Sequence, residues 1–86
     1  MTKRFTYRFE DEGPSTLSYQ VGADARMECT VENGVNVIYI NRRAAHVLAT
    51  VFAKLALGSH THGFHLHLER DLDPEKPEAL RISLLD

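Results

Sequence analysis

A single cysteine, Cys29, stands among 86 residues. No disulfide can form within the chain, which excludes the class of small secreted domains stapled by several of them. Cys29 then reads as a small apolar residue of a strand. Positive charge is also scarce, with ten Lys and Arg against twelve Asp and Glu and a formal charge of −2. Affinity for nucleic acid rests on neutralising phosphates, so this balance argues against a nucleic-acid partner. Lys3, Arg4 and Arg8 make at most a minor basic patch. No apolar run approaches the ~20 residues of a membrane span. The N-terminal MTKRFTYRFEDE lacks the apolar stretch of a secretory signal. The expectation is a cytoplasmic protein without membrane contact. Catalytic motifs are missing too: there is no glycine-rich phosphate loop and no GxSxG elbow. Asp71 and Asp73 lie in a proline-containing loop, where carboxylates are ordinarily solvated. A non-enzymatic role is expected.

What the chain does have is concentrated in residues 41–69, NRRAAHVLATVFAKLALGSHTHGFHLHLE. Asn41 can cap a helix by accepting a hydrogen bond from a first-turn amide. Gly58 can end it by entering the left-handed conformation. The sixteen residues between, 42–57, hold no Gly or Pro. At about 100° per residue, Ala44, Ala45, Val47, Leu48, Val51, Phe52, Leu55 and Ala56 form one apolar stripe. His46, Ala49, Thr50, Ala53 and Leu57 form the opposite side, which carries almost no charge. Phe64, Leu66 and Leu68 then alternate with His65, His67 and Glu69, the period of a half-buried strand.

The remaining strands follow from the same alternation. Residues 4–9 place Phe5, Tyr7 and Phe9 on one side, and residues 16–21 place Leu17, Tyr19 and Val21. Residues 26–32 turn Met27, Cys29 and Val31 inward. Asn33-Gly34 suits a type I′ turn into residues 35–40, where Val35, Val37 and Tyr39 compete with Ile38 and Ile40 for the inside. Residues 70–78 form a charged loop with two prolines. Residues 79–85 close the chain with Leu80, Ile82 and Leu84 inward. The expected fold is one α+β domain over residues 1–86 with the order β-β-β-β-α-β-β. Its two layers are one largely antiparallel sheet of about six strands and a single helix on one face.

Two surfaces are candidates for function. His60, His62, His65 and His67 lie within eight residues, and imidazole is the commonest transition-metal ligand. His65 and His67 share a strand face, and a loop histidine or Glu69 would supply a third ligand, zinc being the natural ion. A solvated strand face and a polar turn are the plain alternative. Three alternating histidines would suit a histidine-triad phosphotransferase, but here Glu69 takes the third place. The second surface is the helix back, His46, Ala49, Thr50, Ala53 and Leu57. Interface centres are depleted in charge, so this side reads as a protein contact, although alanine is also simply the best helix former. One helix covers only part of a six-stranded sheet. A homodimer through the helix back or an edge strand is the expected way to cover the rest.

The order from residue 35 to residue 86 also resembles a known family. A strand ends in Asn41, and a helix ends in Leu-Ala-Leu-Gly58. A histidine-containing turn leads to Phe64-His65-Leu66-His67-Leu68-Glu69, and a charged loop leads to Leu80-Arg81-Ile82-Ser83-Leu84. This pattern is similar to the bacterial immunity proteins of polymorphic toxin systems, in the family numbered thirty-two. The resemblance implies a small α+β domain that binds and neutralises a toxin domain, without catalysis or cofactor.

Overall fold

Asn33 and Gly34 have φ of 52° and 78°, the paired positive values of a type I′ turn. The turn joins β1 (Met27–Glu32) to β2 (Val35–Ile40) as an antiparallel hairpin. Its register sets Met27 opposite Ile40 and Cys29 opposite Ile38. Ile38 and Ile40 therefore share the face of Met27 and Cys29, while Val35, Val37 and Tyr39 take the other face with Glu28, Thr30 and Glu32.

The hairpin leads directly into α1 (Arg42–Leu57). Asn41 caps it, its Oδ1 accepting from the Ala44 amide at 2.9 Å. The same oxygen accepts from the Arg26 amide at 3.0 Å, and Nδ2 donates to the Asp24 carbonyl at 2.6 Å. One side chain thus fixes the base of the hairpin to the start of the helix. At the other end, Gly58 does not enter the left-handed region; its φ is −79°. A Cβ there would lie 2.7 Å from the Lys54 carbonyl and 3.0 Å from His60 Nδ1. Close approach, rather than backbone handedness, is what requires glycine.

After α1 come β3 (His65–Leu68) and β4 (Leu80–Ser83), an antiparallel pair with Leu66 opposite Ile82 and His67 opposite Arg81. Val47, Val51, Leu55 and Leu66 form the core, with Leu17, Tyr19, Val21, Phe64, Ile82 and Leu84 packed around it. The N-terminal segment and the β3–β4 pair thus both pack on the Val47–Val51–Leu55 stripe of the helix.

The computed structural model, which describes residues 1–86, corrects the six-stranded sheet. There are four strands in two separate two-stranded sheets, β1–β2 and β3–β4. Residues 4–9 and 16–21 form no strand. The alternation at 16–21 does turn Leu17, Tyr19 and Val21 onto the core, but their backbone joins no ladder. Side-chain period reports which way residues face, whereas a strand also needs a neighbouring backbone to exchange hydrogen bonds with. Phe5 and Tyr7 remain exposed.

The helix face is rotated from the expected one. Thr50 and Lys54 are buried, and Phe52 is 46% exposed. Without a broad sheet beneath it, the helix turns its Thr50–Lys54 edge toward the N-terminal segment. There Lys54 Nζ donates to the Ser18 carbonyl, and Glu12 Oε1 lies 3.4 Å away. Glu12 in turn accepts from the Ser18 amide and hydroxyl.

The molecule is open for its size. Its radius of gyration is 13.8 Å, against about 12 Å for a compact chain of this length. Its accessible surface is 6661 Å², against roughly 5,100 Å² for a compact monomer of this mass.

Candidate functional site

Five of the large apolar side chains left exposed belong to the β1–β2 hairpin. Val31, Val35, Ile38, Tyr39 and Ile40 are each between 40% and 63% exposed. Apolar side chains appear on both faces of β2 because neither face is covered. Its edges are open as well. A two-residue turn makes Glu32–Val35 a hydrogen-bonded pair, so Asn36, Ile38 and Ile40 direct their N–H and C=O groups away from β1. No backbone bond outside the hairpin's own ladder involves residues 27–40. Edge strands of monomers are usually guarded by charge or proline. β2, VNVIYI, has neither. On β1 the charges are Glu28 and Glu32, and Glu32 is engaged by the Tyr39 hydroxyl, which donates to Oε1 at 2.5 Å. That bond raises the Tyr39 pKa above its ordinary value.

Two grooves border the hairpin. One, of about 220 Å³, separates its Cys29 and Ile38 from Ala79 and Leu80 at the start of β4. The other, of about 550 Å³, runs along the hairpin base and is lined by Arg26, Tyr39, Glu69 and Lys76 among others. Burial pushes the Cys29 thiol up, with the Glu69 charge adding to it. A raised thiol is a poor nucleophile, so Cys29 serves the surface as a neutral, half-buried apolar group.

The helix back does not present the five expected residues as one face. Thr50 is buried, and its hydroxyl donates to the Val47 carbonyl at 2.7 Å. Ala49 and Ala53 are half-buried. The His46 ring meets Phe5 edge-on at 5.5 Å. His46 is nonetheless exposed, as is Leu57 at 74%. The N-terminal segment lies over this side, and nothing in the alternation of residues 4–9 pointed to it. The hairpin surface was missed for a related reason: both β1 and β2 were expected inside a wide sheet. The signal that could have found it is the absence of charge along VNVIYI.

The four clustered histidines divide. His60 Nε2 contacts the Thr16 carbonyl at 2.6 Å and so carries the proton. Its Nδ1 is buried without a partner, and its ring lies 4.2 Å from that of Phe64. His62 Nδ1 donates to the Leu85 carbonyl at 2.9 Å. His65 Nδ1 donates to the Gly63 carbonyl at 3.0 Å, and His67 Nδ1 to Glu78 Oε1 at 2.8 Å. The rings of His65 and His67 meet at 4.9 Å with 81° between their planes. Glu78 also accepts two bonds from the Arg81 guanidinium, at 2.8 and 3.0 Å. Those bonds, with the one from His67, hold its carboxyl down at about 2. Glu69 does not join the pair. At φ 70° it ends β3 and turns inward to a buried position. No three His, Cys, Asp or Glu side chains are grouped to close on one ion.

Asp71 ties the same region to the core from behind. Its Oδ2 accepts from the His67 amide at 3.0 Å. The Tyr19 hydroxyl, whose pKa is pushed up to about 12, owes that first to burial and then to Asp71.

No protein-family model, curated protein or solved structure matches this chain. No helix is long and apolar enough to cross a membrane.

Proposed function

We propose that this chain is a non-catalytic protein-binding domain that uses the β1–β2 hairpin as its contact surface. Its specific role would be that of an immunity protein, binding and neutralising a bacterial toxin domain in the cytoplasm. The observation that carries the reading is the uncovered hairpin, with Val31, Val35, Ile38, Tyr39 and Ile40 exposed and β2 unpaired on its outer edge. Soluble monomers seldom leave contiguous apolar area open without a use for it. An extended segment of the partner adding to β2 would satisfy the outward groups of Asn36, Ile38 and Ile40, with side-chain pockets supplying selectivity. When the toxin domain is absent, the same edge is free to pair with a second copy of this chain.

The role is tested by expressing the protein encoded directly upstream of this chain's gene. Expression alone should arrest bacterial growth, and co-expression of this chain should restore it and yield a complex that co-purifies. A harmless upstream product, or an arrest that this chain does not relieve, would overturn the immunity role.

A further inference from the structure

The geometry points to a two-imidazole site for a divalent transition metal of the zinc class on β3, formed by the Nε2 atoms of His65 and His67. The site is separate from the hairpin surface and does not depend on it. Its basis is how the two rings are held. Both Nδ1 atoms face acceptors that have no proton to give, the Gly63 carbonyl and the Glu78 carboxylate. Both Nδ1 atoms must therefore be the donors, which leaves each Nε2 as the nitrogen that can offer a lone pair to a metal. Metal-bound histidines are held in this way, with the non-ligating nitrogen donating to a carbonyl or carboxylate that fixes tautomer and ring orientation.

The spacing agrees as well. Two Zn–N bonds of ~2.0–2.1 Å at a tetrahedral angle place two imidazole ring centres about 5 Å apart. The rings of His65 and His67 are 4.9 Å apart. His67 is further braced, because its acceptor Glu78 is locked by the two bonds from Arg81. That pairing also absorbs the Arg81 charge, which would otherwise oppose a cation. His60 is excluded from the site, since its Nε2 is spent on Thr16 and its Nδ1 is buried. The chain supplies two ligands, and water fills the other positions.

Isothermal titration of the whole protein with zinc chloride tests this. The wild type should bind one ion per chain, and His65→Ala and His67→Ala should each abolish saturation in the range that saturates the wild type. His67→Gln serves where His67→Ala fails to fold, and should also abolish it. Glu78→Gln keeps both ligands and should weaken binding by about 10–100-fold through the lost orienting carboxylate. His60→Ala should bind as the wild type does. In nitrogen-detected NMR the ε-nitrogens of His65 and His67 should shift on zinc addition while their δ-nitrogens stay protonated. Wild-type affinity in Glu78→Gln, or a loss in His60→Ala as large as in His65→Ala, would overturn the site and leave only adventitious histidine binding.

Discussion

Lys54→Met removes one ammonium group and keeps the side-chain stem. Lys54 sits on α1 with its side chain 11% exposed, and its Nζ donates to the Ser18 carbonyl. Glu12 is not stranded by the change, because the Ser18 amide and hydroxyl still donate to its carboxylate. The loss therefore falls on the Ser18 carbonyl, which forfeits a charge-assisted hydrogen bond in a half-buried place. Such bonds contribute about 1.5–3 kcal/mol. In a domain of this size each kcal/mol moves Tm by about 4–8 °C, so the expected fall is roughly 6–24 °C. Thermal unfolding followed by circular dichroism measures it. Limited chymotrypsin digestion supplies a second readout: loosening residues 12–21 should speed cleavage at Leu17 and Tyr19, which pack on the core in the wild type. A Lys54→Met protein that melts and digests like the wild type would refute the idea that this lysine clamps the N-terminal segment to the helix.

Three further outcomes are expected. Leu48→Ala, at a buried position, should cost about 2–5 kcal/mol, whereas Phe52→Ala, at a half-exposed one, should stay within about 1 kcal/mol; urea unfolding that reverses the order would mean that α1 buries a different face. Asn41→Ala removes the cap and its bonds to Arg26 and Asp24, and should reach the upper end of the capping range, about 2 kcal/mol, with a loss below about 0.5 kcal/mol contradicting its joint role. Asp11, Glu12 and Glu78 all have lowered carboxyl pKa values in the folded chain, so they stabilise it at neutral pH and that contribution fades as acid protonates them. For Glu78 the fading runs from its ordinary 4.5 down to about 2. Tm should fall across this range and fall less steeply in Glu78→Gln, and a flat wild-type profile from about pH 5 to pH 2 would contradict it.

Several elements were legible from residue type alone because one local rule decided each. Asn33-Gly34 has few conformations other than a type I′ turn, and Asn41 before an uninterrupted apolar stripe has few roles other than a cap. The helix span, 42–57, and the inward set Leu66, Leu68, Ile82 and Leu84 followed from period. The sheet did not, since pairing is a non-local property that alternation does not encode. Residues 16–21 show this most clearly, with the correct residues turned to the core and no ladder formed. The burial of Lys54 was hidden because its partner, the Ser18 carbonyl, belongs to a segment 36 residues away. At the histidine strand the sequence indicated that His65 and His67 share a face. It could not indicate that Glu78 and Gly63 would hold both rings in one tautomer. On the helix back, the approach of the N-terminal segment, whose Phe5 reaches His46, was equally illegible in the alternation.

The central claim is that the hairpin makes the contact with a protein partner, and a binding titration of purified chain against the product of the gene directly upstream tests it most directly. Val35→Glu with Ile38→Glu places two charges on exposed positions of β2, so folding should be little affected and Tm should stay near that of the wild type. The account expects the double variant to bind at least about 100-fold more weakly, the loss of roughly 3 kcal/mol that charging an interface centre brings. Equal affinity in a folded variant would contradict it and move the contact away from the hairpin.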